Sequence, residues 1–480
     1  MAYSLKIQEE PLKKHTRPSV IWFLLISLGL VSILSVSFVL NWNLAPLFLL
    51  TGVIVAAILM FLLVVIHPTI GWVLFALMLP IGMAVRVSLG PFEIAPSMVV
   101  VAPLLLSAFL QKRYTYSQNR KEILFFLLIL LLVFVEILGL FRTDRPEWVL
   151  ALIAKLVFGI LIYFLLAKFT TPKQLEAYFL FLSIAIAAYL AITLLYYLIL
   201  HGASSISVSL QSNMGQSGRN QLAIIVPLVV PPLFSKLISK RYATRFLFLV
   251  DGLILGIVLF SILLSLSRSA FLNAFLGISW VFLWSQPWHH KIRLLFMGLI
   301  LFGAMVFVFS ISPVAVGRLV SILEVFGKDV QTYGASTGHS VLVRKELLQT
   351  AFDLWRKSPL FGIGSGNFLE NTVFVDNSTL NAVTHNEYAR WLVELGLFGL
   401  SLLLLFLTSH FFYIIHSLKS KVRLDLPRWL IIGISGTFIC FVFQMLFINI
   451  NYHYYFWIAM GLTARVIFSK PISMERSLKI

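Results

Sequence analysis

The chain has 480 residues, of which 60% are hydrophobic and 12% are charged, and its net charge is +18. Soluble domains carry about a quarter charged residues, so this composition excludes an ordinary soluble protein and indicates a membrane protein. A positive charge can mark a nucleic-acid partner, but in a membrane protein Lys and Arg at cytoplasmic loops account for it. We therefore expect no nucleic-acid partner. The single cysteine, Cys440, lies in an apolar run and is interpreted as a packing residue.

Apolar stretches of about 20 residues, the length that crosses the hydrocarbon core, follow one another along the chain. The sequence predicts an all-α, polytopic membrane protein with about 14 (12–14) transmembrane helices. The predicted spans are 19–40, 44–66, 69–87, 94–110, 122–141, 148–167, 174–200, 219–237, 245–266, 268–284, 292–311, 387–416, 428–447 and 452–468. The third and fourth flank a stretch with Pro and Gly, so they are candidates for broken or re-entrant segments.

Basic residues concentrate at alternate connections, which the positive-inside rule assigns to the cytoplasm. The same alternation places the longest polar segment, 312–386, on the non-cytoplasmic side as a small subdomain with a helical piece at 341–356. The predicted regions are a cytoplasmic tail 1–18, an N-terminal transmembrane region 19–244, core helices 245–311, the loop 312–386, C-terminal helices 387–468 and a second cytoplasmic tail 469–480.

Two arginines lie at the non-cytoplasmic rim, where the orientation rule disfavours them. Arg219 opens a helix beside Asn220, and Arg268 follows the turn Ser-Leu-Ser. Because a guanidinium binds phosphate oxygens bidentately, we expect the two arginines to bind a pyrophosphate at the membrane surface. The alternative is contact with lipid headgroups. Arg344 lies on the helical piece of the long loop; a solvated surface position is its default interpretation, and a diphosphate contact is the alternative.

The long loop re-enters the membrane at Thr-His-Asn-Glu-Tyr, residues 384–388. Glu387, Arg390, Trp391 and Glu394 follow at helical spacing and share one face, which predicts a polar stripe directed into the protein. His385 has the side chain suited to proton abstraction near neutral pH, and a neighbouring carboxylate such as Glu387 could orient it. Helix capping is the alternative role for His385.

Other polar residues have weaker interpretations. His453, in an aromatic turn, is the rival to His385, although its neighbours are typical of an interfacial belt. Glu136 and Lys155 lie near the same face on successive helices, where pairing is expected and a proton relay is the alternative. Asp251 is interpreted as a partner of cytoplasmic basic residues. The outside loops contain no paired acidic metal motif, so we expect no metal and no cofactor.

The motifs resemble those of the O-antigen ligase/polymerase superfamily over roughly residues 245–405. The resemblance rests on Ser-Arg-Ser-Ala at Arg268, on the glycine-rich segment PLFGIGSGNF at 359–368, and on THNEYARWLVELGLFGL at 384–400. By itself the glycine-rich segment predicts a tight turn, since no Gly-Lys-Ser/Thr of a P-loop follows it.

The resemblance implies a bacterial inner-membrane enzyme of GT-C-like architecture with a large periplasmic loop and cytoplasmic termini. It implies a glycan donor linked to undecaprenyl diphosphate, and an acceptor that is lipid A-core for a ligase or a lipid-linked glycan for a polymerase. By this resemblance Arg268 and Arg219 would bind the donor diphosphate, and His385 would activate the acceptor hydroxyl. To these we add, as expectations from the residues themselves, Arg344 at the diphosphate, Glu387 beside His385, and Asn386, Arg390 and Asn220 in support. The ligases typically have about twelve spans, fewer than predicted here. A transporter or flippase that uses Glu136, Lys155 and Asp251, and a structural subunit of an export complex, are the other hypotheses.

Overall fold

The computed structural model describes residues 57–84, 87–89, 92–111, 120–144, 146–201, 215–239, 244–265, 267–285, 335–368, 383–420, 422–450 and 453–471. The chain divides into two units, Met1–Ile66 and His67–Ile480. The described part of the first unit is one apolar helix, α1 (Ala57–Ile66). The predicted span 19–40 and most of 44–66 lie outside the described residues, as does 292–311.

The described part of the second unit is helical apart from one small hairpin. Its elements are α2 (Pro68–Ala84), β1 (Val87–Leu89), β2 (Phe92–Ile94), α3 (Pro96–Val99), α4 (Val101–Leu110), α5 (Arg120–Leu140), α6 (Pro146–Phe169), α7 (Pro172–His201), α8 (Gly215–Ser239), α9 (Arg245–Ser265), α10 (Arg268–Trp284), α11 (Ala335–Lys357), α12 (Glu387–Lys419), α13 (Arg428–Gln444) and α14 (Tyr454–Ile467).

Six helices in the described ranges are long and apolar enough to cross a membrane. They are Arg120–Leu140, Pro146–Phe169, Pro172–Thr193, Leu222–Ser239, Arg245–Ile262 and Glu387–Lys419. The prediction of a helical fold is confirmed for the described residues, apart from the hairpin, and the six candidate spans support a multi-pass membrane protein. The count of 14 spans stays a prediction. The hairpin of β1 and β2 occupies the stretch with Pro and Gly between the third and fourth predicted spans, with Val87 paired to Ile94.

Helix α8 contains three prolines, Pro227, Pro231 and Pro232, and packs closely against α10 and α13. Proline has no N–H, so each one leaves the carbonyl four residues earlier without its helical donor. In a membrane, neighbouring helices must satisfy such carbonyls. Thr437 of α13 does this for Pro227, because its hydroxyl donates to the Pro227 carbonyl at 2.7 Å. Gly277 allows the close approach, since a Cβ there would lie 2.6 Å from Pro231 Cγ.

The long polar loop contributes α11, which confirms the predicted helical piece at 341–356. Leu347 and Ala351 of α11 pack against Phe368, Ala389 and Val393 in one buried apolar cluster. The loop therefore packs directly on the first turns of α12, where the candidate histidine segment begins.

Candidate functional site

Helices α8 and α10 run in the same direction, and their contacts set their register. The Asn273 side chain of α10 donates to the Ala223 carbonyl of α8 at 3.1 Å, and further along Gly277 meets Pro231. Arg219 precedes Ala223 by four residues and Arg268 precedes Asn273 by five, or about 6 and 7.5 Å of helical rise. Both arginines therefore belong to the same end of a parallel helix pair. The structure describes the backbone of Arg219, Asn220 and Arg268 but not their side chains.

Helix α13 runs opposite to α8 and brings the His385 segment to this end. Gly433 of α13 lies against Pro232, whereas Gln444 at its last turn hydrogen-bonds Asn273. The next residue, Met445, accepts a 2.8 Å hydrogen bond from the backbone N–H of Glu387. The backbone thus brings the starts of α8, α10 and α12 together at one end of the molecule.

His385 occupies a sharp turn just before α12. Its φ is 50°, which places this non-glycine residue in the left-handed region. That conformation costs energy, so the surrounding structure must hold the residue in it. Thr384 secures the turn, since its hydroxyl donates to the Asn386 carbonyl at 2.9 Å. Asn386 is the helix N-cap and accepts from the Ala389 N–H at 3.0 Å. This gives the predicted supporting residue Asn386 a capping role.

The His385 imidazole is partly buried, and its pKa is lowered, first by desolvation and then by the positive charge of Arg344. The predicted residues His385 and Arg344 therefore lie near enough to interact electrostatically, although Arg344 itself is exposed. A lowered pKa keeps the imidazole neutral at physiological pH. Neutral imidazole is the form that accepts a proton.

A buried ionic cluster follows within α12. The Arg390 guanidinium donates to Glu387 Oε1 at 2.8 Å and to Glu394 Oε2 at 3.0 Å. Glu387 also accepts from Trp391 Nε1 at 2.9 Å and from the Ile450 N–H at 2.7 Å. The predicted polar stripe is confirmed as a set of contacts within α12. The role of Glu387 in orienting His385 stays a prediction.

A third carboxylate reaches the cluster from another helix. Glu136 of α5, which is 0% exposed, accepts from Arg390 at 3.2 Å and from the Ser365 hydroxyl at 2.7 Å. The predicted pairing of Glu136 with Lys155 is wrong, because the packing of α5 against α12 brings Glu136 to Arg390 instead. Sequence reasoning placed Arg390 only in a supporting role and missed Ser365. One guanidinium thus connects three carboxylates from two helices.

The glycine-rich segment forms a turn that inserts into a break in α12. Gly396 has φ 69° and ψ −169°, which interrupts the helix and frees backbone groups on both sides. The carbonyls of Val393 and Glu394 then accept from Ile363 and Gly364, each at 2.9 Å. In return, the N–H groups of Leu397 and Phe398 donate to Pro359 and Leu360, at 2.9 and 3.1 Å. The two motifs that carry the family resemblance are therefore joined backbone to backbone.

The same turn is anchored to the connection between α5 and α6. Asn367 accepts from the Thr143 hydroxyl and the Asp144 N–H, both at 3.1 Å, and donates to the Arg142 carbonyl at 2.8 Å. Gly364 and Gly366 have positive φ values of 104° and 79°, which confirms the tight turn predicted from the glycines.

The remaining candidates lie elsewhere. His453, the rival histidine, is the residue before α14 and is partly buried. Asp251 pairs with Lys236 at 2.5 Å, as the sequence indicated, and this pair borders a cavity of about 160 Å³ at the opposite end of α8 from Arg219. Cys440 is buried and contacts the Asn273 backbone, in agreement with a packing role. Within the described ranges, no group of three His, Cys, Asp or Glu side chains is arranged to hold a metal ion.

Residues 253–404 match the family model of the O-antigen ligases. This match supports the O-antigen ligase/polymerase superfamily, which the motifs resemble, over the segment from α9 through the first half of α12. It supports a membrane glycan ligase or polymerase that acts on lipid-linked glycans. No individual curated protein matches the chain.

Proposed function

We propose that the chain is a bacterial inner-membrane glycosyltransferase that moves a glycan from undecaprenyl diphosphate to an acceptor sugar hydroxyl on the periplasmic side. The observation that carries the proposal is the convergence of the starts of α8, α10 and α12 at one end of a domain that matches the O-antigen ligases. The proposed protein has 14 spans of about 20 residues, cytoplasmic termini, a GT-C-like architecture and a periplasmic loop at 312–386.

In the proposed reaction, Arg219 and Arg268 bind the donor diphosphate, with Arg344 of α11 adding positive charge near His385. Bidentate guanidinium contacts neutralise charge that grows on the diphosphate as the glycosidic bond breaks. Asn220 is proposed to assist as a neighbouring amide.

His385 acts as the general base. It takes the proton from the acceptor hydroxyl as that oxygen forms a bond to the anomeric carbon. The bond between the anomeric carbon and the diphosphate oxygen breaks, its electron pair leaves with undecaprenyl diphosphate, and the configuration at carbon inverts. This route involves neither a metal ion nor another cofactor.

Glu387 serves this base as a positioning residue. Its carboxylate holds Arg390 and the Ile450 N–H, and its backbone N–H binds Met445, so it fixes the start of α12 two residues after His385. Arg390 supports Glu387 in turn. The buried ionic partners of Glu136 and Asp251 give no support to a transporter based on intramembrane charges, since both carboxylates are engaged with basic residues.

The test is glycan transfer by purified protein in liposomes, with a lipid-linked oligosaccharide donor. Lipid A-core serves as acceptor in one reaction and a second lipid-linked repeat in the other. We propose ligation to lipid A-core as the main activity, and a ladder of longer lipid-linked products would instead identify a polymerase.

His385→Ala is expected to reduce turnover by about 10²–10⁴-fold, the usual contribution of a general base. His453→Ala is the matched control, and its turnover should stay near that of the unmodified protein. Equal losses in both variants, or full activity of His385→Ala, would remove His385 as the base. Arg268→Lys should raise the donor KM, because an ammonium cannot make the bidentate contact.

A further inference from the structure

Asn273 replaces a backbone hydrogen bond that α8 lacks because of a proline. Pro227 has no N–H, so the Ala223 carbonyl lacks its helical donor, and the Asn273 amide supplies one at 3.1 Å. Thr437 makes the equivalent repair for the Pro227 carbonyl at 2.7 Å, one helical turn further from Arg219. The two repairs are alike in chemistry and burial, but they differ in what else each side chain touches.

The Asn273 amide also donates a hydrogen bond to the Gln444 side chain. This second bond is not needed to satisfy the Ala223 carbonyl. Gln444 ends α13, and the following Met445 carbonyl binds the backbone N–H of Glu387 at 2.8 Å. A continuous path of contacts therefore leads from α8 through Asn273 and Gln444 to the start of α12. Arg219, Arg268 and His385 each lie within five residues of a member of this path.

Packing stability alone does not account for the amide pair. Asn273 and Gln444 are both 0% exposed. Asn273 Oδ1 and Gln444 Nε2 have no hydrogen-bond partner among the described residues. The Ala223 carbonyl explains why residue 273 carries an amide, but it does not explain the amide of Gln444. An apolar residue at position 444 would leave the bond from Asn273 to Ala223 intact and would bury no unpaired Nε2. Local conflicts of this kind are concentrated at functional sites.

We infer that Asn273 and Gln444 are positioning residues, which hold the helices bearing Arg219 and Arg268 in fixed alignment with the His385 segment. The inference rests on the proposed function for its consequence in catalysis, but the alignment itself is a property of the fold. Neither residue touches the substrate in this role. Their effect is to keep the proposed diphosphate clamp and the proposed base at a constant separation.

The first experiment measures transfer kinetics for Asn273→Leu and Gln444→Met, two changes that preserve side-chain size. Misalignment of reacting groups should lower kcat about tenfold or more, while the donor KM changes less than threefold. The double variant should lose no more kcat than the worse single variant, because both substitutions remove the same contact between Asn273 and Gln444. Thr437→Val is the matched control: it removes a similar buried hydrogen bond to α8, and its kcat should stay within twofold of the unmodified protein.

A second experiment measures the alignment without catalysis. Phe275 of α10 and Leu446 of the turn after α13 are 59% and 44% exposed, and each can be replaced by a spin-labelled cysteine, since Cys440 is buried. In the full-length protein, Asn273→Leu should broaden the distance distribution between the labels, whereas Thr437→Val should leave it unchanged.

Unchanged distributions in both variants would overturn the inference, as would a loss of kcat in Thr437→Val equal to that in Asn273→Leu. If the unmodified protein transfers no glycan to either acceptor, the proposed function fails. The label distances then still decide whether Asn273 sets the alignment.

Discussion

Two buried ionic sites in this protein differ in how many segments they connect. Lys236 and Asp251 join α8 to α9, two helices that are consecutive in the chain. Arg390 joins α12 to α5, and through Glu136 it also reaches the glycine-rich turn at Ser365. The first site can form once a helical hairpin has formed. The second requires segments more than 200 residues apart in the chain, so it can form only when the helices of the candidate site have packed together.

The largest expected effect comes from removing the shared cation. Arg390→Met leaves three buried carboxylates without their guanidinium, and the free energy of unfolding should fall by about 3–5 kcal/mol. Lys236→Met removes the partner of a single carboxylate, that of Asp251, and Lys236 itself is partly open to solvent. The free energy of unfolding should therefore fall by only about 1–3 kcal/mol. Thermal unfolding in detergent measures both. Equal losses would mean that the number of connected segments has no energetic consequence.

Glycine substitutions give the next largest effect. At Gly364, φ is 104° and an added Cβ would lie 2.7 Å from the Arg142 carbonyl oxygen, so Gly364→Ala should destabilise the fold by more than about 2 kcal/mol. Gly252 of α9, near Asp251, has no atom within 4 Å of an added Cβ. Gly252→Ala should therefore leave stability unchanged or raise it by up to about 1 kcal/mol. A stable, active Gly364→Ala variant would contradict the described turn.

The smallest effect on stability is expected for a substitution of Arg344, because its side chain is exposed. Its positive charge acts instead on the pKa of His385. Burial and Arg344 both lower the His385 pKa, so Arg344→Gln should raise it towards its ordinary value. Protonation would then begin at higher pH, and the acidic limb of the pH–rate profile should move to higher pH. Lys345→Gln is a control on the same helix. Identical profiles for the two variants would exclude the interaction between Arg344 and His385.

The depressed His385 pKa also has a consequence for stability. Because the unfolded chain binds a proton at higher pH than the folded chain, stability should fall as the pH drops below the ordinary pKa of histidine. Arg344→Gln should reduce this dependence, which pH-dependent thermal unfolding can follow.

The polar face of α12 and the glycine-rich turn were predictable, because both depend on local geometry. Residues three and four apart on a helix lie on one face, so Glu387, Arg390 and Glu394 were expected to be neighbours. The partner of Glu136 was not predictable. Proximity in the sequence favoured Lys155, but the choice depended on which helix packs against α5.

Asn273 was missed although the sequence contains a signal for it. Prolines inside an apolar helix indicate that some carbonyls lack their helical donor and must be satisfied by a neighbouring helix. Asn273 and Thr437 are polar residues within other apolar helices and are therefore candidates for this role. What the sequence does not state is which polar residue meets which carbonyl. That assignment follows from the register between α8, α10 and α13.

The sequence by itself determined the helical class of structure, its apolar spans and the motifs that resemble those of the O-antigen ligase/polymerase superfamily, because hydropathy, helical periodicity and glycine conformation act over short distances in the chain. Only the tertiary structure decided that Arg390 connects three carboxylates, that the glycine-rich turn fills the break at Gly396, and that Asn273 links α8 to α13. These contacts join distant segments, and their formation depends on packing that no local pattern encodes.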